Sequence, residues 1–334
     1  MKRAVLLSDG NPKLSAVYPS EMLARIGELV SLDPNPYSRE QLLADPAAFS
    51  DVEIAFSTWG MPRLSEEEIE KCLPRLSAVF YVAGSVQAFA RPFLARGIRV
   101  FSAWAANAVP VAEYTVAQII LANKGYYATS RLLGERNRAA TEPLKAAYPG
   151  NYGVRVGLIG CGMIASLVAE MLRSYSLEVA VYDPYLSPER AASLGVKQIS
   201  LEELFATSQV VSNHLPNIES TKRMLTYPLF SSMLPYATFL NTGRGAQVIE
   251  ADLVRALGER EDLTAVLDVT FPEPAPYNHP FYELPNCVLT PHIAGSSGRE
   301  VVRMTEYMLE ECRRYLAGEP TRYGVTEKML ETMA

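Results

Sequence analysis

An α/β protein built as two doubly wound parallel-sheet domains is what the sequence predicts, on three observations. Apolar, β-branched runs alternate with helix-spaced segments along almost all of the 334 residues, the pattern of parallel sheets covered by helices on both faces. One βαβ unit, residues 154–185, carries glycines in its first strand-to-helix turn. The strands after it each end in polar residues, at the edge where open α/β sheets bind ligands.

Residues 1–103 read as the smaller, flavodoxin-like domain. Strands are predicted at Ala4–Leu7, Val52–Ser57, Ala78–Val82 and Ile98–Phe101. Ser65 with Glu68 forms a capping box for a helix. The loops Thr58–Gly60 and Ala83–Val86 follow strands and are expected at the ligand-binding edge. Trp59, Tyr81 and Trp104 lie near that edge, as pocket floor or as core.

The character changes at Ala105–Lys124. Pro110 suits the first turn of a helix, and Val111, Tyr114, Ala117, Ile120 and Leu121 recur at helical spacing. A second helical stretch is predicted to about Ala140. Pro143 and Pro149-Gly150 are expected to break the chain before the next strand.

The βαβ unit is the most informative stretch. Val154, Val156, Leu158 and Ile159 form a buried strand, and Gly160-Cys161-Gly162 follows at once. Ile164, Leu167, Val168, Met171 and Leu172 then fall at helical spacing, and a second strand ends at Asp183. This is the G-x-G-x-x-A form of the Rossmann fingerprint. Gly160 permits the tight turn, Gly162 permits close approach of a pyrophosphate, and Ala165 lets helix pack on strand. The free amides near Met163 and Ile164 favour anionic oxygens. Asp183 stands where a carboxylate accepts both ribose hydroxyls and repels a 2′-phosphate, so NAD is expected over NADP.

The remaining strands are predicted at Gln209–Ser212, Tyr236–Leu240, Leu263–Leu267 and Cys287–Thr290. They run into Asn213–Pro216, Asn241–Gly245, Asp268 and Pro291-His292. Ser200 with Glu203 caps a helix, and Arg299–Leu316 is a final amphipathic helix. The cofactor domain is placed at 104–295 and the substrate domain at 1–103 with 296–334. Two adjacent crossings, near Trp104 and Gly295-Ser296, are expected to form a hinge beside a cleft.

Bulk properties narrow the function. The hydrophobic fraction is 49% and the net charge −6, which gives no support to nucleic acid or an anionic membrane as partner. The first strand is too short for a signal peptide, and no apolar run reaches membrane-spanning length. Cys72, Cys161, Cys287 and Cys312 are scattered, as free thiols in a reducing cytoplasm. The three histidines, His214, His279 and His292, argue against a His-rich metal site, so no metal is expected.

Arg244, Asp268, Glu273 and His292 carry the chemistry. A guanidinium fixed just after a buried strand binds a carboxylate bidentately and polarises an adjacent carbonyl. A carboxylate bonded to one imidazole nitrogen orients the ring and stabilises its protonated form. Such a histidine exchanges a proton with a carbonyl oxygen as hydride arrives or leaves.

At these residues the chain resembles the D-isomer-specific 2-hydroxyacid dehydrogenases. The resemblance is carried, in order, by Val111-Ala112-Glu113, Gly157–Ala165, Tyr182-Asp183-Pro184 and His214-Leu215-Pro216. It continues through Asn241-Thr242-Gly243-Arg244-Gly245, Leu267-Asp268-Val269 with Glu273-Pro274, and Thr290–Gly295. It implies Arg244 as substrate anchor, His292 as acid/base and Glu273 as its partner. It implies a cofactor set of Gly160, Gly162, Met163, Ile164, Asp183, His214, Pro216, Thr242, Gly243, Arg244, Asp268 and His292. Backbone amides of Ala83, Gly84 and Ser85, together with Arg244 and His292, are implied to hold the substrate. The helices of 105–145 are implied to form the arm of a homodimer. The chain departs at Ala83-Gly84-Ser85-Val86-Gln87, where G-A-G-V-D is usual, which leaves the identity of the 2-hydroxy acid open.

The reaction expected is hydride transfer between NAD(H) and a small D-2-hydroxy acid or its 2-oxo acid. The alternative is a non-catalytic NAD-sensing regulator of the corepressor type, which can retain the same three residues. No basic patch or disordered recruiting tail favours it. Oxidation of formate is a third reading, opposed by Glu273 through the resemblance.

Overall fold

The structure, a computed structural model, describes residues 1–331. The last three positions of the 296–334 segment therefore lie outside the described residues. The chain divides into two compact units, residues 1–108 with the segment from Ser296 onward, and residues 109–295.

The first unit holds β1 (Arg3–Leu7), β2 (Ser31–Tyr37), β3 (Ile54–Ser57), β4 (Ala78–Tyr81) and β5 (Arg99–Ser102). They pair in parallel in the order β2-β1-β3-β4-β5. This is the order of flavodoxin-like sheets. Both faces of the sheet are covered, and each buries its own apolar cluster. Ser65 and Glu68 form the expected capping box. β2 was not expected: its sequence, SLDPNPY, holds two prolines. It is an edge strand paired only with β1, the place in a sheet where a missing N–H is tolerated.

The second unit holds β6 (Tyr152–Ile159), β7 (Ser176–Tyr182), β8 (Lys197–Gln198), β9 (Val210–Asn213), β10 (Thr238–Asn241), β11 (Thr264–Leu267) and β12 (Cys287–Leu289). All pair in parallel, in the order β8-β7-β6-β9-β10-β11-β12. The direction of winding reverses between β6 and β9, the topological switch point at which Rossmann sheets bind dinucleotides. A last strand, β13 (Gly324–Val325), lies antiparallel to β5 in the first unit's sheet, a departure from an all-parallel arrangement.

Three expectations about the middle helices are corrected. The helix spans Trp104–Asn123, so Pro110 sits inside it instead of in its first turn. Three of the six helical residues before Pro110 are alanines, the best helix formers, and the proline forfeits its own bond to Ala106. The boundary between the units falls inside this helix, between Ala108 and Val109. The buried face is Ala112, Val116, Ile119 and Ala122, packed on the second sheet, whereas Ala117 and Leu121 are exposed. The helix is apolar on nearly every side, so periodicity alone did not select its core face. Pro143 breaks nothing either: it lies within the Arg138–Ala147 helix, capped by the Asn137 side chain.

The expectation about membrane-spanning length is also corrected. By length and composition the 20-residue Trp104–Asn123 helix is long and apolar enough to cross a membrane, and half of its most apolar stretch is buried inside the protein. The earlier expectation rested on uninterrupted apolar runs, and Asn107, Glu113 and Gln118 interrupt this one.

Candidate active site

The fingerprint turn is built as its sequence demands. Gly160 has φ +83°, a region that costs a side-chain-bearing residue steric energy. A Cβ there would also stand 3.1 Å from the His214 carbonyl oxygen. The helix Met163–Leu172 starts directly after Gly162, and around Gly162 there is open space. Ala165 is fully buried against the sheet. Asp183 follows β7, and its carboxylate accepts from the Cys161 amide at 2.7 Å and the Tyr185 amide at 2.8 Å. The acid is thus held beside the glycine turn.

At the switch point, His214 and Pro216 follow β9. His214 Nε2 lies 2.9 Å from Ser212 Oγ, and Nδ1 is enclosed with no partner among the described residues. Burial pushes the His214 imidazole down to about 4, so the ring is neutral at pH 7. An orphaned polar nitrogen, an open glycine turn, free helix amides and a carboxylate at the end of β7 together fit a dinucleotide. Thr242 is buried beside Thr115, with their hydroxyls 3.4 Å apart.

Glu273 and His292 are brought together. His292 Nδ1 lies 2.5 Å from Glu273 Oε1. A carboxylate only accepts, so Nδ1 carries the proton and donates it. Nε2 makes no hydrogen bond among the described residues, and both side chains are partly exposed. His292 has φ +52°, a strained conformation of the kind that collects at functional sites. Asp268 holds that turn. Its backbone carbonyl accepts from the His292 amide, and its carboxylate accepts from Thr290 Oγ1, the Ile293 amide and the Ala294 amide.

Arg244 completes the group. Its turn sits against the segment that leads to Glu273. A Cβ on Gly245 would lie 2.1 Å from the Thr270 carbonyl carbon, so glycine is required for that approach. The guanidinium donates to the Gly243 carbonyl at 2.7 Å. Burial pushes Arg244 below its ordinary range, and the Glu273 charge acts in the opposite direction. A cation, a carboxylate and an imidazole with one free nitrogen thus stand at the carboxyl ends of β10, β11 and β12.

In the first unit, Ser102 Oγ lies 2.9 Å from the Ala83 carbonyl and 2.6 Å from the Gly84 carbonyl. Carbonyls held inward turn the following amides, those of Gly84 and Ser85, the other way. Beside them is an open cavity of about 460 Å³ whose lining includes Arg39, Arg63, Tyr81, Ser85 and Phe89. Tyr81 is otherwise core, its ring tilted against Phe89 with centroids 4.8 Å apart. Trp59 is half-buried under Lys13, and Trp104 stands edge-on to Tyr323. Among the described residues no group of three or more His, Cys, Asp or Glu side chains is placed to hold a metal ion.

A buried amide cluster escaped the sequence reading: Asn213, Asn241 and Gln247, fully or almost fully buried at the ends of β9 and β10. Its only signal was polar residues set among apolar ones.

Residues 116–294, more than half of the chain, match the family model described as D-isomer specific 2-hydroxyacid dehydrogenase, NAD binding domain. A D-3-phosphoglycerate dehydrogenase of Mycobacterium tuberculosis is 33% identical over 67% of this chain, a match that spans 42% of that protein's length. A glyoxylate reductase of Korarchaeum cryptofilum is 29% identical over 76% of this chain and 77% of its own. The crystal structure of a phosphoglycerate oxidoreductase from Rhizobium etli superimposes with a TM-score of 0.83 over 99% of this chain at 20% identity, a likeness of fold. Fingerprint, switch point and the carboxyl-edge residues Arg244, Glu273 and His292 all fall within the matched segment, and the chain belongs to the D-isomer-specific 2-hydroxyacid dehydrogenase family, whose NAD-binding domain it carries.

Proposed function

We propose that the protein interconverts a small 2-oxo acid and the corresponding D-2-hydroxy acid with NAD(H). The observation that carries this reading is the His292–Glu273 pair, with one ring nitrogen bonded and the other left for exchange. When bound, the nicotinamide cofactor supplies or removes the hydride. Arg244 binds the substrate carboxylate and polarises the adjacent carbonyl. His292 Nε2 gives its proton to the carbonyl oxygen in reduction and takes it back in oxidation. Glu273 keeps Nδ1 protonated and the ring oriented. The Gly84 and Ser85 amides are assigned to the substrate carboxylate, with Ser102 fixing their direction.

The cofactor set is Gly160, Gly162, Met163, Ile164, Asp183, His214, Pro216, Thr242, Gly243 and Asp268, with Arg244 and His292 shared between cofactor and substrate. Asp183 makes NAD the preferred form. Asp183→Ala should relax the preference toward NADP by removing the repulsion from a 2′-phosphate. Tighter binding of NADPH than of NADH by the unaltered protein, measured by fluorescence titration, would contradict this assignment.

The helices of 105–145 are assigned to a homodimer interface. Leu121, Tyr126 and Leu133 are exposed along them, apolar side chains that a second copy would cover. Sedimentation should give a dimer at micromolar concentration, and aspartate at these three positions should dissociate it. A monomeric wild type, or an unchanged assembly in the variant, would count against the arm. The reaction itself is tested by NADH turnover with a panel of 2-oxo acids.

A further inference from the structure

We propose that Gln247 is a positioning residue for Arg244, an assignment that rests on the reading of Arg244 as the substrate anchor. Asn213 and Asn241 stand opposite each other at the ends of neighbouring strands β9 and β10. Asn213 Nδ2 donates to Asn241 Oδ1 at 3.0 Å and to Gln247 Oε1 at 2.6 Å. Gln247 Oε1 also accepts from the Arg244 amide at 3.1 Å. From the other side, Asn241 Nδ2 donates to the Arg244 carbonyl at 3.2 Å, and Asn241 Oδ1 accepts from the Gly243 amide at 3.0 Å. The Arg244 main chain is therefore gripped at both its N–H and its C=O by buried amides.

Gln247 has a second attachment. Its Nε2 donates to the Leu215 and Pro216 carbonyls at 2.6 and 2.9 Å, and Asn213 Oδ1 accepts from the Leu215 amide at 3.2 Å. Both donors and both lone pairs of the Gln247 amide are used, with the side chain wholly out of water. A fully satisfied buried network is rigid and exacting, since losing one member strands several partners. None of its three side chains ionises, so the grip is independent of pH. Arg244 needs such support. Among the described residues its side chain bonds only the Gly243 carbonyl, so where the guanidinium points depends on where its main chain is held. A 2-oxo acid bound through two atoms of that guanidinium is sensitive to displacements well under 1 Å.

The test is a double-mutant cycle read by binding and by turnover. Oxamate, a 2-oxo acid mimic, is titrated calorimetrically into the NADH-loaded enzyme, and KM and kcat are measured with a 2-oxo acid. NADH affinity and the unfolding midpoint confirm that each variant is folded. Gln247→Met should weaken oxamate binding and raise KM by about fivefold or more, the scale of coupling between residues in one network. Arg244→Ala should then cost much less in the Gln247→Met background than in the wild type, because the guanidinium is already misplaced. Fully additive losses, with Arg244→Ala costly by itself, would overturn the positioning role and leave the proposed reaction standing. An Arg244→Ala protein with normal oxamate binding and turnover would overturn both.

Gln247→Glu separates the two attachments. It keeps an acceptor oxygen for the Arg244 N–H and, protonated in its buried setting, keeps one donor at most toward the Leu215 and Pro216 carbonyls. It should hold oxamate more tightly than Gln247→Met does. Equal losses in the two variants would place the effect in the Leu215–Pro216 turn and overturn the proposal.

Discussion

His292→Ala should lower the rate of 2-oxo acid reduction by roughly 10²–10⁴-fold, the usual worth of a positioned acid–base group. The expectation follows from the geometry at one ring. Nδ1 is committed to Glu273 at 2.5 Å, and the turn that carries the ring is pinned by three hydrogen bonds to the Asp268 carboxylate and one to its carbonyl. Only Nε2 remains to exchange a proton. Reduction consumes a proton that Nε2 delivers, and oxidation returns one to it. Glu273→Gln keeps the shape, but a neutral amide orients the ring less firmly, so both directions should slow. Near-normal rates in Glu273→Gln or in His292→Ala would show that this pair does not carry the proton.

Arg244→Ala should lose substrate affinity and turnover together while NADH still binds. The guanidinium is desolvated, with the Glu273 charge acting on it, and in such surroundings a charged donor is worth more than in water. It contacts the substrate carboxylate in the ground state and the developing alkoxide in the transition state. Removing a donor of the second kind costs about 10²–10³ in kcat. Loss of ground-state binding adds a rise in KM. Arg244→Lys restores the charge without the planar fork and should recover only part of the loss. If NADH affinity falls and substrate parameters do not, Arg244 belongs to the cofactor site.

The elements legible in the sequence were those whose signals are local. β6, the fingerprint turn, the following helix and β7 lie within 32 residues, and every step of that motif has its own residue preference. Ser65 and Ser200 announced helix starts, and both side chains accept from the amide three residues on. What stayed hidden depends on neighbours distant in sequence. β2 is extended because β1 offers it a partner, although Pro34 and Pro36 argue against a strand. The face that the Trp104–Asn123 helix buries was chosen by the sheet beneath it.

The site shows the same division. Arg244 and His292 were legible because each follows an apolar run with distinctive flanking residues, and Glu273 because it stands in a proline-rich loop, Phe271–Pro276, that matches the family's Glu-Pro pair. The grip on Arg244 was not legible, because Asn213, Asn241 and Gln247 meet only when β9 and β10 pair in register. Asp268 ends β11, and both its carboxylate oxygens hold the turn of His292, more than 20 residues further along the chain. A strand-terminal acid looks the same in sequence whichever neighbour it holds.

The measurement that bears most directly on the central claim is steady-state NADH oxidation with a panel of 2-oxo acids beginning with glyoxylate, the substrate named for one relative. Sustained turnover with at least one member is expected, with the reverse reaction accepting the D and not the L hydroxy acid. Stoichiometric NADH binding with no turnover of any member would contradict the account and leave a non-catalytic NAD-sensing regulator in its place.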